Sequence, residues 1–119
     1  MTDPASRVVA VVRDLFFVAR IRETARLAGV PLEFARTPEE LATALGTPPR
    51  FVLLDLTGGF DYARVFETVA AGGRPPVLGF TTHALARQSQ PWHAHCERVV
   101  TKETLTQELP TLLRDGVAA

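Results

Sequence analysis

The sequence has 119 residues, enough for one domain with one sizeable core. Its 13 basic and 13 acidic residues cancel, which removes the electrostatic footprint of a nucleic-acid binder. No stretch approaches the apolar length of a membrane span, residues Met1 to Ser6 lack the regions of a signal peptide, and a single cysteine, Cys96, excludes an internal disulfide and suits a reducing, cytoplasmic setting.

Val8-Val9-Ala10-Val11-Val12 is a continuous apolar run, the pattern of a strand buried on both faces in a parallel sheet. Asp14 predicts a helix N-cap, with the helix running to about Ala28 and Gly29 as its stop. Val18, Ile21, Ala25 and Ala28 recur at helical spacing as an inward face, and Phe16, Arg20, Glu23 and Leu27 form the opposite stripe. Pro31 to Ala35 predicts a weaker, edge-side strand. Thr37-Pro38-Glu39-Glu40 reads as a helix start, with Thr37 as cap, Pro38 at the first helical position and Glu40 completing a capping box. That helix should end near Gly46. Phe51 to Leu56 is the clearest strand, apolar until Asp55. A third helix is expected from about Asp61 to Ala71, stopped by Gly72-Gly73. Pro76 to Phe80 is a fourth strand, followed by Thr81-Thr82-His83. Ala84 to about Cys96 reads as helical, with Pro91 expected to kink or split it. Arg98 to Val100 is a short fifth strand. Thr101 to Arg114 holds a last helix, distorted or shortened by Pro110.

Strands alternating with helices at short spacing imply right-handed βαβ units and a parallel sheet. Nothing in the pattern suggests a second domain or an output domain, so residues 1–119 are expected to form a single α/β unit. In doubly wound sheets ligands bind outside the carboxyl ends of the strands, near the switch in strand order. The residues there are Arg13-Asp14, Asp55, Thr81 and Lys102, the only lysine beside twelve arginines. Two carboxylates, a hydroxyl and an ammonium would converge on one crevice. An acceptor aspartate needs such a cation and hydroxyl for phosphate oxygens, and carboxylates to hold Mg²⁺.

Over essentially its whole length this layout resembles the receiver domain of two-component signalling, the fold of the chemotaxis response regulator. Val52-Leu53-Leu54-Asp55-Leu56 is similar to the receiver strand ending in the phosphorylated aspartate. Pro76-Val77-Leu78-Gly79-Phe80-Thr81 resembles the strand ending in the signature Thr or Ser, and Val99-Val100-Thr101-Lys102 the strand ending in the signature Lys. The resemblance implies a doubly wound, flavodoxin-like three-layer sandwich with five parallel strands in the order 2-1-3-4-5. It also implies Asp55 as phospho-acceptor, Thr81 and Lys102 as phosphate contacts, and Asp14 with Asp55 as ligands of a weak Mg²⁺ site. Its partners would be a histidine kinase, a phosphotransfer protein or a downstream effector, with Phe16, Arg20, Glu23 and Leu27 as the docking stripe and a homodimer as a further option. No catalytic residue, nucleic-acid contact or membrane contact is expected.

The departures from that pattern carry equal weight. Receivers usually close the first strand with two acids, and here the first of the two positions is Arg13. The residue after the lysine is Glu103 where the family has Pro. Gly58-Gly59 replaces the usual loop after the acceptor, and Val99 stands near the place of the aromatic switch residue. The leading expectation is therefore a receiver-like module that works by binding proteins, its phosphorylation impaired or absent. The alternatives are a working phospho-receiver and a small-molecule-binding flavodoxin-like domain. Arg13 is pivotal: it either turns into the crevice to pair with Asp55 or swings out to solvent. His83, His93, His95 and Cys96 match no common zinc spacing, and Cys96 reads as a small core residue.

Overall fold

In the computed structural model, which describes residues 6–116, five strands alternate with five helices. The strands are β1 (Val8–Val11), β2 (Leu32–Phe34), β3 (Phe51–Asp55), β4 (Val77–Thr81) and β5 (Arg98–Thr101). The helices are α1 (Leu15–Ala28), α2 (Pro38–Ala44), α3 (Tyr62–Ala71), α4 (Ala86–His93) and α5 (Lys102–Asp115). Every strand pairing is parallel and the sheet order is β2-β1-β3-β4-β5, the doubly wound arrangement expected from the sequence.

Strand alternation splits the core into two halves. Val8, Ala10, Phe51, Leu53, Leu78 and Phe80 point to the side covered by α1 and α5, where they meet Ile21, Leu105, Leu109 and Leu112. Val9, Val11, Val52, Leu54 and Val77 point to the other side, where Leu41 of α2 and Val65 and Val69 of α3 cover them. Trp92 of α4, half-buried, packs at the edge of this second half. The inward face of α1 is Phe17, Val18, Ile21 and Ala25; Ala28 is only half-buried, and Phe17 takes the place given to it.

Local chemistry sets the helix ends. The Asp14 carboxylate accepts from the Phe16 and Phe17 amides, and Gly29 closes α1 in the left-handed region at φ 71°. Thr37 accepts from the Glu40 amide, while Glu40 reaches back to the amide of Arg36. Of the outcomes expected at the two prolines, a split of α4 and a shortening of α5 do not occur. α4 runs through Pro91 unsplit, and α5 runs through Pro110 to Asp115. A helix-interior proline costs about 3 kcal/mol, and each fully buried leucine returns roughly 1.5–3 kcal/mol. Leu105, Leu109, Leu112 and Leu113 are all fully buried, so the packed face of α5 outweighs its proline. No helix among the described residues is long and apolar enough to cross a membrane.

β2 is the outer strand on one side. It has three residues, none of them fully buried, and Arg7 pairs with its Glu33 at 3.0 Å while Arg22 lies over Phe34.

Candidate functional site

The parallel register brings the four candidate residues to one edge of the sheet. Asp55 is level with Phe80, and Thr81 is level with Thr101, after which Lys102 opens α5. Asp14 follows β1 and caps α1. All four thus stand at the carboxyl ends of their strands. Their side chains nevertheless divide between neighbours, for a reason set by alternation. Asp55 shares the face of Leu53 and Phe80, whereas Thr81, one residue further along, belongs to the opposite face, under α4.

On the α1–α5 side the pair is Asp14 and Lys102. Oδ1 of Asp14 accepts from the amides of Phe16 (3.0 Å) and Phe17 (3.2 Å), and Oδ2 faces the Lys102 ammonium at 3.6 Å. The Phe17 amide first, then the ammonium and the Phe16 amide, hold the Asp14 carboxyl below its ordinary range. Lys102 also rests over the Phe17 ring, 4.8 Å from its centroid. Among the described residues no ion pair joins Lys102 to Asp55.

Asp55 is buried, at 6 % exposure. Its Oδ1 accepts from both the amide and the hydroxyl of Thr57, each at 2.8 Å. The Tyr62 hydroxyl donates to the Asp55 carbonyl at 2.7 Å and accepts from the Gly58 amide at 2.9 Å, so one phenol spans the loop after β3. Burial raises the Tyr62 phenol above its ordinary range and the Asp55 charge adds to this, against the Gly58 hydrogen bond. Gly58 has a steric reason: a Cβ there would lie 2.7 Å from the Phe60 ring and 3.2 Å from Asp55 Oδ2.

Arg13 takes the outward of the two directions weighed from the sequence: it is exposed and turned away from Asp55, though its guanidinium is not left free in solvent. Its guanidinium donates to the carbonyls of Arg36 (3.2 Å) and Gly59 (3.4 Å) and stacks 4.2 Å from the centroid of Phe60. It ties the loops after β1, β2 and β3 together from outside the crevice. The paired guanidinium and Asp55 carboxylate do not form.

Thr81, at 4 % exposure, turns its hydroxyl under α4, where it lies 2.9 Å from Ser89 Oγ; Ser89 in turn lies 2.9 Å from His93 Nε2. Sequence reading did not reach Ser89. Its one signal was a serine four residues before a histidine, a helical spacing that places both on one face.

The docking stripe is on the surface. Phe16 is 92 % exposed and Leu27 72 %, and Arg20 and Glu23 are exposed, Glu23 pairing with Arg26. Leu15, at 71 % exposure, adds to the stripe and was missed. A groove of about 560 Å³ runs beside it, with Phe16, Phe17 and Arg20 on one wall and Glu103, Thr106 and Gln107 of α5 on the other.

The donors at this edge do not make a magnesium site. Mg²⁺ demands near-octahedral oxygens and usually takes one or two carboxylates directly. Here the Asp14 carboxylate is committed to a helix cap and an ammonium, one oxygen of Asp55 is committed to Thr57, and the residue before Asp14, where a further acid would serve, is Arg13. No cluster of three or more acidic, histidine or cysteine side chains suited to a metal exists among the described residues. Cys96 lies against Gly79, where a Cβ would approach its sulfur to 3.0 Å. Burial pushes the Cys96 thiol up to about 12. At pH 8 the thiolate is then a negligible fraction. We expect the native protein to resist maleimide over minutes and the unfolded chain to react at once, as mass spectrometry would show.

No family model matches the sequence, and no curated protein matches it. Solved structures do. The receiver domain of a sensor histidine kinase from Pseudomonas aeruginosa, solved with magnesium coordinated in its active-site cleft, superposes with a TM-score of 0.75 at 16 % identity, covering 97 % of this chain and 99 % of that one. The receiver domain of NtrX from Brucella abortus gives 0.74 at 14 % identity over 93 % of this chain and 97 % of its own. A protein from Rhodopirellula baltica described as an adenylate cyclase gives 0.74 at 10 % identity, covering 94 % and 87 %. At these identities the likeness speaks to architecture alone. The chain has the flavodoxin-like fold of response-regulator receiver domains.

Proposed function

We propose that this chain is a receiver-like signalling module that acts by binding other proteins, with phosphoryl transfer to Asp55 impaired or absent. The observation that carries this reading is that the groups a phosphoryl site needs are engaged within the protein. Asp14 and Lys102 hold each other, Arg13 fastens three loops, and the Thr81 hydroxyl is bonded to α4. Free surface for a protein is present instead, in Leu15, Phe16 and Leu27 and the groove beside Phe16. The partner would be a histidine kinase, a phosphotransfer protein or a downstream effector, met in the cytoplasm.

A working phospho-receiver is the second reading. It is favoured by one feature: both bonds to the Asp55 carboxylate fall on Oδ1, and no hydrogen bond among the described residues reaches Oδ2. Incubation with acetyl phosphate and Mg²⁺, followed by intact mass, separates the two. We expect only trace addition of 80 Da, the mass of a phosphoryl group. Stoichiometric addition that disappears in Asp55→Asn would replace the first reading by the second.

A further inference from the structure

A cavity of about 400 Å³ lies between α3 and α4, and none of Asp14, Asp55, Thr81 and Lys102 lines it. Three rings do. Phe66 of α3 and Trp92 of α4 are stacked, with centroids 5.9 Å apart and planes 19° from parallel. His95, just after α4, lies 5.0 Å from the Phe66 ring and 5.9 Å from the Trp92 ring. Tyr62 supports Trp92 at 5.9 Å, centroid to centroid. Ala63 and Ala70, about one helical turn before and after Phe66, end at Cβ and leave room beside the rings.

Packing of α4 on α3 accounts for Phe66 and Trp92, which are half-buried. It does not account for two other residues at this cavity. His95 is exposed, yet its ring stays against both. Arg74 stands at φ 54°, in the left-handed region that a residue with a Cβ occupies uncommonly and that glycine adopts freely. A glycine would make the same turn at less cost. What the arginine adds is its side chain, and the guanidinium has no hydrogen bond, ion pair or ring contact among the described residues.

We propose that this cavity binds a flat aromatic ring carrying one carboxylate, with the ring against Phe66, Trp92 and His95 and the carboxylate on Arg74. The ring follows from the lining: aromatic pairs gain more than their buried area alone supplies. The charge follows from Arg74, whose guanidinium offers parallel N–H donors that match a carboxylate. A single charge follows from Glu67, which lines the same cavity and would repel a dianion such as a phosphate monoester. The volume lies within the range of small-ligand pockets, roughly 300–1,000 Å³. The assignment does not depend on Asp55 or on the receiver-type reading of the crevice.

The test uses the full-length protein and three probes: naphthoate, its uncharged amide and cyclohexanecarboxylate. Naphthoate should shift the Trp92 indole N–H resonance and the amides of α3, and leave those beside Phe16 unmoved. By the same titration it should bind about tenfold more tightly than either other probe. Arg74→Gly should melt no lower than the wild type, bind naphthoate about tenfold more weakly and bind the amide equally well. Glu67→Gln should tighten naphthoate about twofold and leave the amide unchanged. His95→Ala should weaken both aromatic probes about threefold. Equal naphthoate affinity in wild type and Arg74→Gly, or cyclohexanecarboxylate binding as tightly as naphthoate, would overturn the assignment. So would a lower melting temperature in Arg74→Gly, which would give the arginine a structural role. Millimolar naphthoate that shifts no resonance of α3 or Trp92 would overturn it as well.

Discussion

Arg13→Asp should give the domain a measurable Mg²⁺ affinity, more than tenfold above the wild type, and lower its stability. The first effect is electrostatic. The substitution replaces a cation by an anion beside Asp14, a change of two unit charges felt by a divalent ion. At about 8 Å and an effective dielectric of about 40, each unit-charge pair is worth about 1 kcal/mol, so the sum is several kcal/mol before solvent and salt reduce it. The second effect follows from where the guanidinium sits. It bonds two loop carbonyls and stacks on Phe60, and losing these contacts should cost about 1–2 kcal/mol. Arg13→Ala separates the two, keeping the stability loss with a smaller gain in metal binding. Calorimetric Mg²⁺ titration and thermal melts of the three proteins check this. Equal Mg²⁺ affinity in wild type and Arg13→Asp would show that Arg13 is not what keeps the metal out. Asp14 remains tied to Lys102 in the variant, so recovery of modification by acetyl phosphate is expected to be partial.

Two adjacent phenylalanines should behave in opposite ways. Phe17→Ala is expected to cost about 3–5 kcal/mol, because the ring is buried against Phe80 at 5.2 Å and its loss leaves a cavity between α1 and the sheet. It also removes the surface over which the Lys102 ammonium rests. Phe16→Ala should change stability by less than about 0.5 kcal/mol, since the ring is 92 % exposed, yet it should weaken capture of a protein partner several-fold, as should Leu27→Ala. Urea unfolding and a pull-down with immobilised wild-type and variant proteins measure both. Stability loss in Phe16→Ala comparable to that in Phe17→Ala would remove the stripe from the list of docking surfaces.

The fold was legible because its signals are local and periodic. Val8 to Val12 and Phe51 to Leu54 are apolar runs bounded by turn chemistry, and Asp14, Gly29 and Thr37 are caps whose roles follow from their own side chains or lack of one. The sheet edge on which Asp14, Asp55, Thr81 and Lys102 stand followed from the alternation of strands and helices. What their side chains touch did not. The relative register of β3 and β4 decides that Asp55 and Thr81 face opposite sides of the sheet, and register is a long-range property. The contacts of Arg13 were illegible for a related cause: its partners, the carbonyls of Arg36 and Gly59, are backbone atoms on loops distant in sequence, and no side-chain pattern announces them. A shortening at Pro110 was expected because local propensity was weighed without the burial of Leu105, Leu109, Leu112 and Leu113 that overrides it.

The form of β2 limits how copies of this protein, or other chains, can join it. A sheet edge with unpaired amides and carbonyls invites a further strand, and the invitation grows with the length and flatness of the edge. Here the edge is three residues long, follows a proline, and is flanked by the Arg7–Glu33 ion pair and by Arg22 over Phe34. Too few ladder bonds are on offer, and charges would have to be stripped of water to reach them. Strand addition is thereby discouraged at this side of the molecule, and with it the templated stacking by which exposed sheets form fibrils. Association is steered toward the helical faces, where contacts are between side chains and can be reversed.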